Sequence, residues 1–163
     1  MAMVMDDIHS VTPSALPAGL DLRPVDRLGS GAPAAVPLED AVAVAIASDP
    51  GITGSADQVA GYLGGLPQSV RLFVAVDDTG VARATSACHV FGEYAQVFFV
   101  STDPAWRRRG IGAAMTTGAL RGAAALGARR ALLHSTADGA SLYTRLGFEA
   151  VGLLTRYAYV PPR

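Results

Sequence analysis

Arg107, Arg108 and Arg109 stand immediately before Gly110, Ile111, Gly112 and Ala113, and that order of residue types can bind an anion. A strongly apolar run, residues 95–100, precedes them, followed by the turn Ser101-Thr102-Asp103-Pro104. The Ala/Gly-rich segment after them, from about Ile111 to Leu126, reads as a helix. In such a strand–turn–helix the first-turn N–H groups lack intrahelical partners and sit at the positive end of the helix dipole. Gly110 and Gly112 have no Cβ, so a phosphate can come close to the backbone. The three arginines add charge-assisted donors. Spacing alone leaves a second reading open, a solvated basic turn without a ligand.

The elements that must position this turn lie on either side of it. Residues 1–18 lack periodicity and read as a flexible tail, and residues 19–163 as a single domain. Leu20 to Val25 alternates as a first strand, and residues 29–33 are linker-like. Pro37 opens a helix with Glu39 and Asp40 in its first turn, and Ser48-Asp49-Pro50 stops it. Ser55 caps a second short helix that ends at Gly64. Leu72 to Val76, the turn at residues 77–80 and Val81 to Val90 form a hairpin, and Tyr94 to Val100 is the central strand. In the helix after the arginines, Ile111, Met115, Ala119, Ala123 and Leu126 share an apolar face. Gly118 and Gly122 let it sit close to the sheet, and Gly127 ends it. Ala131 to His134 is a buried parallel strand, Gly139 to Leu146 a short helix stopped by Gly147, and residues 148–160 supply the last strand or two. The predicted order is β-α-α-β-β-β-α-β-α-β.

Arg107-x-x-Gly110-x-Gly112 resembles the Gln/Arg-x-x-Gly-x-Gly/Ala signature of the GCN5-related N-acetyltransferases, the GNAT superfamily. Pro104 stands three residues before the first arginine, as it often does there. A second block about 35 residues downstream, Leu142-Tyr143-Thr144-Arg145-Leu146-Gly147-Phe148, resembles the superfamily's Leu-Tyr-x-x-Leu-Gly-Phe segment. The resemblance runs from about Phe73 to Tyr159. It implies a mixed α/β fold with a central sheet of about six to seven strands and about four flanking helices. Two parallel strands, ending here at Thr102 and His134, would splay apart at the cofactor site.

The resemblance also implies a function: acetyl-CoA as donor, a primary amine of a small molecule or peptide as acceptor, and direct attack in a ternary complex. The pantetheine arm would pair with the backbone of Val100 and Thr102 as a pseudo-strand would. The cofactor turn runs from Arg107 through Arg108, Arg109, Gly110, Ile111 and Gly112 to Ala113, with the N–H groups from Arg108 onward holding the pyrophosphate. Tyr143 is the implied general acid for the departing thiolate, because a phenol has a pKa near that of a thiol; a packing role is the alternative. Some members place a basic glutamate eleven residues before the first motif arginine. That position is Gln96 here, which cannot take a proton. Glu93, His134 or a water oriented by Gln96 are the candidate bases, against readings as a surface carboxylate and a core histidine. Ser135 and Ser141 could touch the cofactor or serve turns and caps. Tyr157 and Tyr159 could line an acceptor pocket or fill strand core. Many relatives are homodimers, and the same is expected here.

Size and composition agree with this. At 163 residues, half of them hydrophobic, the chain can bury one sizeable core. Its apolar runs are too short to span a membrane, and no basic segment leads into an apolar one near Met1, so a cytoplasmic protein is expected. Cys88 is the only cysteine, which rules out an internal disulfide or cysteine metal cluster; it reads as a buried small hydrophobe. No metal-ligand spacing appears. Net charge is −1, but residues 1–100 carry 4 Arg against 11 acids and residues 101–163 carry 9 Arg against 3. This fits an anionic cofactor in the basic half and, opposite it, a cationic substrate. Nucleic-acid binding through the arginines would need a wider basic surface with stacking aromatics, and only Trp106 is adjacent. The other reading kept open is a CoA-binding sensor or regulatory module without transfer.

Overall fold

A computed structural model of the chain describes residues 1–26, 36–48, 52 and 54–155. Strands β1 (Ala2–Met5), β2 (Leu20–Asp26), β3 (Val36–Pro37), β4 (Val70–Asp77), β5 (Ala82–Phe91), β6 (Tyr94–Thr102), β7 (Arg130–His134) and β8 (Glu149–Gly152) form one sheet. Their order is β3-β2-β4-β5-β6-β7-β1-β8. Four helices flank it: α1 (Leu38–Ser48), α2 (Ala56–Gly64), α3 (Ile111–Ala124) and α4 (Ala137–Arg145). Neighbouring strands are antiparallel except β2 with β3 and β6 with β7. The mixed α/β architecture is the expected one, with eight strands among the described residues instead of six or seven. Among the described residues, no helix is long and apolar enough to cross a membrane.

Strand alternation sorts the core into two layers. Val70 and Leu72 of β4 face one side, with Leu38 and Val42 of α1 and Leu63 of α2. Ala75 faces the other, with Ile111 and Met115 of α3. The small residues of α3 bring it against the sheet: a Cβ on Gly118 would lie 2.8 Å from Leu22, and one on Gly122 would lie 2.5 Å from the Phe73 ring. α3 ends at Ala124, short of Leu126, because Gly127 turns left-handed at φ +92°. Ala128 N–H then closes onto Ala123 O at 3.1 Å, and Leu126 is left exposed.

The amino-terminal segment corrects the sequence reading. Residues 1–18 are not a flexible tail: β1 sits inside the sheet, antiparallel to both β7 and β8. Met3, Met5 and Ile8 are buried with Phe148, Leu133 and Ala119. The short apolar run Met3-Val4-Met5 carries too little alternation to announce a strand, and its partners lie more than 120 residues away. Met3→Ala should therefore cost about 2–4 kcal/mol of unfolding free energy, the usual range for emptying a methionine site in a packed core. Urea denaturation measures it; a tail residue would cost nothing. The linker read at residues 29–33, the stop at Asp49-Pro50 and the final tyrosines, Tyr157 and Tyr159, lie outside the described residues.

Candidate functional site

The parallel pairing of β6 with β7 is short. It joins Tyr94–Val97 to Arg130–Leu133 and goes no further. β6 runs on for five more residues to Thr102, while β7 turns away and Ser135 N–H donates to the Met1 carbonyl at 2.8 Å. The strands part at Phe98, and the cause is on the other edge of β6. Opposite β5 the register shifts between Thr85 and Ala87, which face Ser101 and Phe98. Two residues, Phe99 and Val100, thus stand where β5 offers only Ser86, which makes a β-bulge. Phe99 takes φ +57°, an uncommon conformation for a bulky side chain and one that concentrates at functional sites. Past the bulge, Asp103 N–H donates to Arg83 O at 2.8 Å. By alternation, the peptide groups of Thr102 and Val100 then point away from β5, into the gap left by β7.

A rigid corner follows. Asp103 caps a one-turn 3₁₀ segment, Pro104–Trp106, by accepting from Ala105 N–H at 2.9 Å. Arg83 of β5 reaches Asp103 at 3.1 Å and Asp77 at 2.8 Å, and so ties this corner to the β4–β5 turn. Asp77 also accepts from the Thr79 hydroxyl and from the Thr79 and Val81 N–H groups. The Thr79 hydroxyl, followed by the Arg83 guanidinium, holds its carboxyl well below the ordinary carboxylate range.

The three arginines divide their work. The Arg107 guanidinium donates to Thr102 O at 3.1 Å and to Ser48 O, at the end of α1, at 2.7 Å. It serves two of the protein's own carbonyls, a different task from the anion contact that its motif position suggested for the side chain. Arg109 reaches Ala105 O at 3.3 Å and lies 4.9 Å from the Trp106 ring centroid, with Arg83 at 5.3 Å from the same ring. Arg108, at φ +63°, makes no hydrogen bond or ion pair among the described residues. Arg107→Ala should lower stability by about 1–3 kcal/mol through the loss of these charged hydrogen bonds, while changing the Kd for coenzyme A only a few-fold. Urea melts and calorimetry on the same variant check the two halves.

Gly110 follows in the left-handed region, φ +80°, and caps α3 without a side chain. Ala114 N–H makes the first helical bond, to Gly110 O at 3.1 Å. Among the described residues, the N–H groups of Arg108 to Ala113 have no acceptor. They form a row of bare amides at the positive end of a 14-residue helix. This cradle and the open edge of β6 fit a long ligand carrying a diphosphate.

The second sequence block adjoins that cradle. A Cβ on Gly112 would lie 3.1 Å from Leu142 Cδ1, so α4 packs against the first turn of α3. Tyr143 comes next on α4, half-buried, edge-on to the buried Phe148 at 6.0 Å. Its hydroxyl makes no hydrogen bond among the described residues, and burial pushes the phenol above its ordinary value of 10.0. α4 is capped by Thr136, which accepts from Gly139 N–H at 3.2 Å. Ser135 is buried and bonded to Thr136 O, and Ser141 is exposed on α4.

The candidate bases separate. Glu93 lies in the β5–β6 turn, at the opposite end of β6 from Thr102, paired with Arg130 at 3.2 Å. Gln96 pairs with Leu132, two residues short of the splay. Of the three groups, only His134 stands at the splayed end: it is exposed, follows Leu133, and by alternation shares the face of Gln96. Cys88 is fully buried, with its thiol pushed up to about 11 by desolvation, and no ligand could reach it.

Sequence reasoning missed a cavity of about 290 Å³ between α2 and the bulge, lined by Gln58, Val59, Tyr62, Leu63, Phe98 and Phe99. Its signal was present: two adjacent phenylalanines interrupt the alternation of β6, and α2 carries an aromatic, Tyr62, on an exposed position.

The family model described as an acetyltransferase (GNAT) domain matches residues 68–150, from β4 to β8. No curated protein matches the chain in sequence. Among solved structures, a GCN5-related N-acetyltransferase from Kribbella flavida is 25% identical, with a TM-score of 0.66 over 91% of this chain. The match takes in 52% of that protein, so the chain spans about half its length. An acetyltransferase from Trypanosoma brucei shares the fold at 17% identity and a TM-score of 0.67, with 86% of this chain and 99% of that one covered. So does a Clostridium acetobutylicum protein described as a predicted acetyltransferase and solved with acetyl-CoA, at 14% identity and 0.66, covering 85% and 96%. Splayed strands, bare amides before α3 and the family model over half of the chain lead to one assignment: the chain belongs to the GNAT acetyltransferases.

Proposed function

We propose that the protein moves an acetyl group from acetyl-CoA to a primary amine of a small molecule or peptide, with both reactants bound at once. The observation that carries this reading is the unspent amide row from Arg108 to Ala113 beside the open edge of β6. The amides and the helix dipole hold the diphosphate; the peptide group of Val100 and the N–H of Thr102, whose carbonyl is engaged by Arg107, hold the arm as a neighbouring strand would. Acetyl-CoA brings an activated acyl carbon, and the chain's part is to hold it, exclude water and place an amine beside it. Proximity supplies much of the rate, so no covalent enzyme intermediate is needed, in keeping with the inert Cys88. The acceptor nitrogen forms a bond to the acyl carbon as the bond to sulfur breaks. The nitrogen gives up one proton to a base or to solvent, the sulfur gains one from Tyr143, and the phenolate takes one back from solvent. Of the three candidate bases, His134, exposed at the splayed end of β7, is the one this reading assigns to the amine proton.

The test is thiol release from acetyl-CoA across a panel of amines, with calorimetry of coenzyme A alone. Saturable binding and amine-dependent thiol release are expected. Binding without release for any amine would favour the sensor reading, to which Gln96 in place of a carboxylate lends support. No heat and no melting shift at millimolar coenzyme would overturn both.

A further inference from the structure

The cavity between α2 and the bulge adjoins the point where β6 and β7 part. Phe98 and Phe99 are the first β6 residues beyond the last paired position, Val97 with Leu133, and both line the cavity. An amine seated there would lie beside the gap between the two strands. The chemistry of the walls then decides which amine. Val59, Leu63, Phe98 and Phe99 are apolar, Tyr62 is an exposed aromatic (67% accessible) on α2, and no charged side chain lines the cavity among the described residues. Gln58 is the one amide side chain, and its carbonyl is already occupied by Ser55 N–H at 2.8 Å in the capping box that starts α2. Its NH2 group is a donor, so Gln58 offers a polycation no counter-charge. A polyamine or amino sugar would find no carboxylate to bind its charge or hydroxyls, and burying them unpaired is costly.

We infer that this cavity is the acceptor subsite and that it selects a primary amine carrying a single aromatic or branched apolar group. At about 290 Å³ it stands at the small end of ligand pockets, the size for one ring and a short linker. The bulge gives the site its walls: the strained φ at Phe99 turns two consecutive phenylalanines toward α2. This narrows the cationic substrate suggested by the charge imbalance along the sequence to a monoamine with an apolar body. It rests on the acetyl-transfer reading only for the reaction; the cavity's preference can be read without it.

Two measurements test it. Initial rates with 2-phenylethylamine, spermidine and glucosamine should give a kcat/KM at least about tenfold higher for the aryl amine. Tyr62→Ala should lower that value mainly through KM. Gln58→Glu keeps the capping box and adds a carboxylate, so it should shift the preference toward spermidine. A higher kcat/KM for spermidine or glucosamine, or a ratio that neither variant moves, overturns the assignment while leaving acetyl transfer in place. Ligand-observed NMR with 2-phenylethanol, which has no amine to acetylate, reads the cavity independently. Binding that weakens in Tyr62→Ala upholds the cavity's preference for an aryl group, and with no amine acetylated it is the transfer reading that fails; no binding, or binding unaffected by Tyr62→Ala, overturns the assignment.

Discussion

Gly110→Val is expected to raise the Kd for coenzyme A by about a hundredfold or more, whereas Arg108→Gly changes it only a few-fold. The first figure corresponds to about 2.7 kcal/mol, and two costs add to reach it. Gly110 holds φ +80°, and a β-branched residue there carries about 1–3 kcal/mol of backbone strain. Relief of that strain rotates the peptide that aims the first amides of the cradle, and each amide misdirected from a phosphate oxygen loses a charge-assisted hydrogen bond. Among the described residues, and apart from its chain neighbours, no atom lies within 4 Å of the added Cβ, so the penalty comes from backbone conformation and from ligand approach rather than from packing. Arg108 is the mirror case. It too is left-handed, φ +63°, and a glycine there relaxes the backbone while removing a guanidinium that is spent on no other residue described. Calorimetry on both variants, with thermal melts to show that each is folded, settles the order. Equal losses would mean that side-chain charge, not main chain, grips the diphosphate.

The conformation of the turn was legible because its causes are local. A glycine forced to positive φ, a second one in the first helical turn and an apolar strand before them leave their mark within a dozen residues. The same holds for α2, where Ser55 and Gln58 cap each other across three positions. What stayed hidden is what depends on distant partners. Nothing near Arg107 reveals that its guanidinium will bond a carbonyl 59 residues earlier. Nothing near Met3 reveals that Leu133 will lie beside it. Glu93 misled for a different reason: it is only seven residues from Val100, but an extended strand turns seven residues into about 23 Å, and its carboxylate is paired with Arg130 at the far end. The doubled phenylalanine of β6 was readable as a bulge, since a period of two cannot place neighbours on one face without one. That bulge opens the strands and also walls the cavity, so its omission hid the cavity.

Tyr143→Phe is expected to lower kcat by about a hundredfold, the lower end of what a positioned general acid contributes, with the Kd for coenzyme A unchanged within about twofold. The substitution removes one oxygen and keeps the ring, so the edge-on contact with Phe148 and the packing of α4 on α3 survive. A tyrosine present only for packing would therefore show no kinetic loss. The pH profile separates the roles further. An acid works in its protonated form, and burial raises the phenol's pKa above 10.0, so Tyr143 holds its proton throughout the neutral range. In the native enzyme the rate should fall only as pH rises past that elevated value; in Tyr143→Phe that alkaline loss should vanish along with most of the turnover. The variant should also favour acyl donors whose leaving thiol has a low pKa, because a thiolate that departs readily has less need of a proton. Unchanged turnover at every pH would return Tyr143 to the core and leave the departing sulfur to solvent.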